Sequence, residues 1–304
     1  MSYYKYQNVK TLEEYQLEHH KSKTNESIEQ NTKRVIEIIP IFRNCEFDIE
    51  RLSEEITKFE NHLSTCEKYQ KKLKSNLRGF ISNSNASYLA PAYNYNNYIE
   101  YIIQFNIRRK NNEHQLIPHC NDHLATIQVQ NIFISIKCLL DRLVSILSFY
   151  FNGISVDTTF GRVKKNGKAS GLMSTVLSLK ETNKYMEFIH KEYYEWIKDI
   201  VEPRDIIIHY NDMDIQSHPT ADGREFFMHR HIKIFENQET ELPIQTPDYE
   251  DGHYYKSLMK SVQKLYRFYD ITFEVLKNMD IKYKKSHFIE KVDYELYKNN
   301  GYKF

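Results

Sequence analysis

No two of the four cysteines, Cys45, Cys66, Cys120 and Cys138, are close enough to form a CxxC pair. That absence argues against a zinc ribbon and against a secreted disulfide framework, and leaves scattered, reduced thiols. An excess of charge is missing too, with 42 basic residues against 41 acidic. So balanced a chain has no global field for gripping nucleic acid, and any such footprint must be local. No internal repeat recurs at a fixed period. Met1 to Lys10 is polar and tyrosine-rich, without the apolar stretch of a secretory leader, and a cytoplasmic protein is the expectation. An uninterrupted membrane span is also lacking. Ile132 to Phe151 is long enough, but Lys137, Asp141 and Arg142 break it. Placing these in lipid costs roughly 2.5–3.5 kcal/mol each. A buried core helix is expected instead, with no membrane partner and with Lys137 and Asp141, four apart, paired along it.

What is present is an ordinary globular composition, 40% apolar and 27% charged, whose unusual part is its 24 tyrosines. At 304 residues the chain buries a sizeable core as one large domain or two small ones, without a metal or disulfide staple. A helix is expected from Glu26 to Ile39, ended or kinked by Pro40. Apolar residues three and four apart predict a second helix from Asp48 to Leu77, stopped by Gly79. Residues 82–97, rich in Ser, Asn, Ala and Tyr, read as a loop, and Tyr98 to Arg108 as a third helix. A boundary is placed near residue 115. It divides an N-terminal helical region, 1–115, of unassigned role from a second domain, 116–304.

The second domain opens with a long helix, Asn121 to Phe151. A loop, Asn152 to Gly171, carries Gly153, Gly161, Gly167 and Gly171 with Arg162, Lys164, Lys165 and Lys168. Helix follows from Leu172 to Ile200, broken around Lys180 to Thr182. Pro203 suits the first turn of a short helix carrying Arg204 to Tyr210, because its missing N–H costs nothing there. Asp222-Gly223 and the residues around it predict a β-hairpin within Met213 to Phe235. A last helix spans Tyr254 to Met279. The fold class is therefore mainly α, a helical bundle with a small β-hairpin.

One segment carries recognisable chemistry: Pro203-Arg204-Asp205-Ile206-Ile207-Ile208-His209-Tyr210. Arg204 and His209 are five apart, about 140° round an ideal helix, whereas Asp205 and His209 share a face. Asp205 can orient the imidazole or hold Arg204, whose long stem reaches round to the same pocket. Histidine suits a proton transfer near neutral pH, and arginine a fixed charge on phosphate oxygens. A blander reading stands beside this one: Arg204 paired with Glu202 or Asp205, and His209 a satisfied histidine at a helix C-terminus.

The segment resembles the R-x4-6-H signature of the HEPN superfamily, in which a polar residue follows the arginine, here Asp205, and aliphatic residues fill the gap. The resemblance covers about residues 117–215, extending toward 280, and says nothing about residues 1–115. It implies a helical bundle with one long helix before the motif, as Asn121 to Phe151 provides. It also implies a homodimer whose two Arg–His pairs line one cleft, and a metal-independent endoribonuclease leaving a 2′,3′-cyclic phosphate and a 5′-hydroxyl. Arg204 would stabilise the phosphate, His209 act as acid and base, and Asp205 orient them. Many such proteins belong to toxin–antitoxin or antiviral defence systems, so RNA and an antitoxin or regulatory partner are the expected partners. No cofactor and no metal are expected. A non-catalytic module that binds RNA or protein through the same pocket is the alternative.

Gly161 to Ser170 fails as a phosphate-binding P-loop: five residues separate the glycines where four are needed, and Ala169 stands in the Ser/Thr place. Arg162, Lys164, Lys165 and Lys168 would instead hold RNA phosphates, with Tyr210 in the substrate pocket, or else form a solvated loop. His119 and His123 lie four apart with no third ligand, so a helix cap and first turn is preferred to a metal. His229 and His231 would share a strand face. Tyr88, Tyr93, Tyr95, Tyr98 and Tyr101 either stack bases or, preferably, pack the interior. Tyr193 and Tyr194 read as core or pocket wall, and Asp141 and Arg142 as braces of the motif helix.

Overall fold

The computed structural model describes residues 39–65, 77, 79, 81–111, 123–155, 157–164, 166–201, 204, 215–220, 223–228, 231–235, 238–242 and 254–279. Its helices are α1 (Ile49–Thr65), α2 (Asn85–Asn111), α3 (His123–Leu147), α4 (Leu172–Leu179), α5 (Lys184–Glu192) and α6 (Tyr254–Lys277). A π-helical turn, Tyr193–Ile197, continues α5. The described part is mainly α. Between α5 and α6, backbone pairing forms two antiparallel ladders, β1 (Ile215–Thr220) with β2 (Gly223–Met228) and β3 (His231–Phe235) with β4 (Gln238–Leu242). Among the described residues no helix is long and apolar enough to cross a membrane.

The backbone clusters into two compact units, neither a continuous stretch of chain. One draws from Met1–Leu52, Leu89–Ser135 and Glu202–Leu265, the other from Ser53–Tyr88, Ile136–Val201 and Tyr266–Phe304. The boundary expected near residue 115 falls outside the described residues, as does the helix from Glu26 except for its last residue. Pro40 does not end that helical stretch, because residues 39–43 are all helical.

Side-chain amides and aromatic rings organise the first unit. The Asn96 side chain accepts the Phe47 N–H at 2.8 Å and donates to the Phe47 carbonyl at 2.9 Å, so one amide satisfies a whole peptide edge. The Phe47 ring meets Tyr95 edge-on, and Phe42 meets Tyr255 likewise. The buried Tyr95 hydroxyl donates to the Tyr255 carbonyl at 3.1 Å. Arg43 pairs with both Glu46 and Glu100. Asp48 starts α1 by accepting the Arg51 N–H, the N-cap role for which a short carboxylate is suited.

The second unit is built around the part of α6 from Tyr266 onward. Tyr266 donates to the Tyr88 carbonyl and Tyr269 to the Leu139 carbonyl, both at 2.7 Å. Phe273 stacks on Phe59 with centroids 4.0 Å apart. Such a ring pair is worth about 0.5–1.5 kcal/mol beyond its buried area. Asn183 explains the break between α4 and α5: its side chain accepts the Tyr185 and Met186 N–H groups, capping the new helix.

Two expectations are corrected. Residues 82–97 are not a loop: from Asn85 they belong to α2, which runs on without restarting at Tyr98. Pro91 removes one helical hydrogen bond, yet it is buried, as are Tyr88, Ala92, Tyr95, Tyr98, Ile99 and Ile102. That burial outweighs the proline and the asparagines, and tertiary packing overrides local propensity. Gly79 is not a helix stop either, since it is helical and its carbonyl accepts the Asn83 N–H.

Candidate functional site

Of the motif residues, Arg204 alone is described. It is helical and half-buried, three residues past Val201, the end of the helical run that begins at Lys184. Asp205, His209 and Tyr210 lie outside the described residues, as do Lys165 and His119. His229 lies outside them as well, and His231 is the first residue of β3. His123 is exposed at the start of α3. Among the described residues no three His, Cys, Asp or Glu side chains gather to hold a metal ion.

The basic loop after α3 is described in detail. Val163 and Ala169 form an antiparallel bridge. The Lys164 N–H donates to the Lys168 carbonyl at 2.8 Å, the Gly167 N–H to the Lys164 carbonyl at 2.9 Å, and the Ser170 N–H to the Arg162 carbonyl at 3.0 Å. The segment is thus a closed hairpin. Gly161 and Gly171 form its neck with φ of 75° and 60°. The two backbones approach so closely that a Cβ on Gly161 would run into the Ser170 carbonyl, and one on Gly171 into the Thr159 carbonyl. Only glycine meets both conditions.

Two side chains tie this hairpin down. Asp141 on α3 accepts the Phe160 N–H at 2.7 Å, and the Phe160 ring is fully buried. The Tyr193 hydroxyl accepts the Val163 N–H at 2.9 Å. Asp141 also pairs with Lys137 at 2.6 Å, as the four-residue spacing predicts. Its carboxylate therefore serves both the hairpin and Lys137; beyond Arg204, the motif helix it was expected to brace lies outside the described residues. Beyond the neck, Arg162, Lys164 and Lys168 are exposed. Neither the Lys164 nor the Lys168 ammonium group has an ion-pair partner among the described residues.

The tyrosines divide. Tyr88, Tyr95 and Tyr98 are fully buried, whereas Tyr93 is exposed. Tyr193 is core, but Tyr194 is not: 52% of it is exposed. Its ring stands edge-on to Tyr193, with centroids 5.2 Å apart, and edge-on to His190 at 5.0 Å. The helical period contained this signal, since Tyr193 falls in line with Ile189 and Ile197 while Tyr194 is turned about 100° away. Burial, then the neighbouring Lys180 ammonium group, holds the His190 imidazole below its ordinary range.

Two of the four cysteines, Cys45 and Cys138, are described. Burial pushes the Cys45 thiol up to about 11, and its Sγ donates to the Ile41 carbonyl. Cys138 is an exposed thiol on α3.

No family model matches this chain, and neither the curated proteins nor the solved structures provide a match.

Proposed function

We propose that the chain is a metal-independent endoribonuclease of HEPN type, acting from the Arg204, Asp205 and His209 segment. The observation that carries the reading is the sequence of that segment, Arg-Asp followed by three isoleucines and His, placed directly after the helical run from Lys184 to Val201. His209 takes the proton of a ribose 2′-hydroxyl, which then attacks the adjacent phosphorus. The same imidazole, now protonated, returns a proton to the departing 5′-oxygen. Arg204 offers its planar guanidinium to the phosphate oxygens as negative charge builds on them. Asp205, one helical turn before His209, orients the imidazole.

In this reading the bundle is HEPN-like, with a hairpin at about 213–235 as an appendage. It works in the cytoplasm as a homodimer, under an antitoxin or other regulatory partner, in stress response or antiviral defence. The exposed Arg162, Lys164 and Lys168 supply a local basic footprint that the balanced net charge does not.

Purified protein is incubated with mixed RNA in EDTA, wild type beside Arg204→Ala and His209→Ala. Cleavage by wild type alone, leaving cyclic phosphate ends, is the expected result. Equal cleavage by His209→Ala sinks the assignment. Salt-sensitive RNA binding without cleavage by any of the three favours the non-catalytic binding module.

A further inference from the structure

The second unit brings together three features that neither the motif nor the core requires. The first is the hairpin with Arg162, Lys164 and Lys168 exposed on it, fastened at Phe160 and Val163. The second is the exposed ring of Tyr194, held edge-on by His190 and Tyr193. The third is the π-helical turn that contains both tyrosines, in which the Lys198 N–H reaches back five residues to the Tyr193 carbonyl. Such turns are rare and often mark functional sites. Tyr193 joins the other two features: its hydroxyl holds the hairpin at Val163, and its ring supports Tyr194. The exposed ring and the basic hairpin thus belong to one continuous set of contacts.

We infer that this hairpin and Tyr194 form a binding platform for single-stranded nucleic acid. The hairpin cations follow the phosphates while a base stacks on Tyr194. The pairing of features selects the ligand. Cations alone would suit any polyanion, and an exposed aromatic ring alone would suit many apolar partners. Cations on an ordered hairpin, joined through Tyr193 to a solvent-facing ring, match a chain that alternates phosphate with a flat base. The hairpin is ordered by its own backbone bonds before any ligand arrives, so little entropy is lost on binding. Of the carboxylates flanking Tyr194, Glu195 is paired with Lys191 at 3.6 Å, and Glu192 is turned to the Trp196 indole N–H, which it accepts. The choice of RNA over DNA rests on the ribonuclease reading; the platform itself does not.

The probe is a fluorescein-labelled, 2′-O-methylated single strand of about 12 nucleotides, within the site sizes of stacking platforms. It carries no 2′-hydroxyl, so the full-length wild-type protein cannot cut it by the proposed route. Anisotropy is read across a salt series. Tyr194→Ala is expected to weaken binding about 5- to 150-fold, the range for losing one stacked base, and Tyr194→Phe to bind as wild type does. Lys164→Gln with Lys168→Gln is expected to lower the slope of log K against log salt by about 1.4, the value for two phosphate contacts on a single strand.

Undiminished binding by Tyr194→Ala overturns the platform. So does an equal loss for a duplex of the same sequence, whose base faces are hidden. Binding to anionic lipid vesicles that needs the lysines but not Tyr194 assigns the hairpin to a membrane surface instead. Cleavage is read separately on unmodified RNA. Cleavage that needs His209, with probe binding undiminished by Tyr194→Ala, overturns the platform and leaves the ribonuclease reading standing. Binding without cleavage overturns only the latter.

Discussion

Asp141 accepts the backbone N–H of Phe160 at 2.7 Å while pairing with the Lys137 ammonium group at 2.6 Å. One carboxylate thus anchors the neck of the basic hairpin and neutralises a lysine that is 4% exposed. Asp141→Ala is expected to cost roughly 2–4 kcal/mol, somewhat under the usual loss for breaking a buried pair, because the aspartate is partly exposed. Lys137→Met with Asp141→Asn is expected to recover most of it, since no buried charge is left alone and the Asn oxygen still accepts from Phe160. Urea unfolding of the three proteins checks this; a double variant no better than Asp141→Ala would refute it.

The hairpin neck is predicted to be intolerant and its tip tolerant. Gly161→Ala places a Cβ against the Ser170 backbone at positive φ and is expected to cost at least about 1–2 kcal/mol. Gly167, also at positive φ, has open space where a Cβ would go, so Gly167→Asn is expected to cost only a few tenths. Thermal melts, with amide exchange at Val163 and Ser170, separate the two sites. Equal losses at both would refute the neck argument.

Tyr185 and Thr272 meet at 2.8 Å in the core of the second unit. The Thr272 hydroxyl already donates to the Phe268 carbonyl, so Tyr185 is the donor of the pair. Thr272→Val leaves a buried phenol without its acceptor and is expected to cost about 1–3 kcal/mol. Tyr185→Phe leaves threonine its carbonyl and is expected to cost about 0.5–1.5 kcal/mol. The double variant should lose less than the sum. Strict additivity in a double-mutant cycle would show that the contact contributes nothing.

The Tyr88 hydroxyl is buried with no hydrogen-bond partner among the described residues. Burial, followed by the charges of Tyr266 and Glu55, pushes it well above the ordinary tyrosine range. Tyr88→Phe removes an unpaired polar atom while keeping the ring against Tyr266 and Tyr269. A gain of about 1 kcal/mol is expected. A loss of that size would mean the hydroxyl has an acceptor, such as a trapped water.

Burial raises Asp270 from an ordinary carboxylate to about 6. A raised carboxyl pKa means that the folded chain favours the protonated form. Its contribution to stability is therefore complete below the unfolded value and lost as pH climbs through about 6. Asp270→Asn mimics the protonated acid, so it is expected to raise Tm at pH 7.5 and leave it nearly unchanged at pH 4. Melts at the two pH values decide it, and a larger gain at the lower pH would reverse the assignment.

Much of the described fold was legible in the sequence, and the failures share a cause. α1, α3 and α6 follow the three-and-four spacing of aliphatic and phenylalanine residues, and the break before α5 follows from an asparagine able to cap it. α2 was missed in its first half because Tyr and Asn read as loop-forming polar residues. In the fold, the Tyr88 and Tyr95 rings are buried within α2, and the Tyr95 hydroxyl is satisfied by a backbone carbonyl. Counted as apolar, Tyr88, Tyr95 and Tyr98 complete the same period.

At the candidate site the division is of the same kind. The sequence by itself determined that the loop after α3 would be basic and rich in glycine, that Lys137 and Asp141 would pair, and that Arg204 would stand on a helical turn. These depend on composition or on residues a few positions apart. Only the tertiary structure decided that Asp141 would reach Phe160 nineteen residues on, that Tyr193 would hold Val163 thirty residues back, and that Tyr194 would be left in solvent. A helical period records which side of a helix is buried. It does not record which backbone N–H a buried hydroxyl or carboxylate will meet, because that partner arrives only when distant segments are packed together.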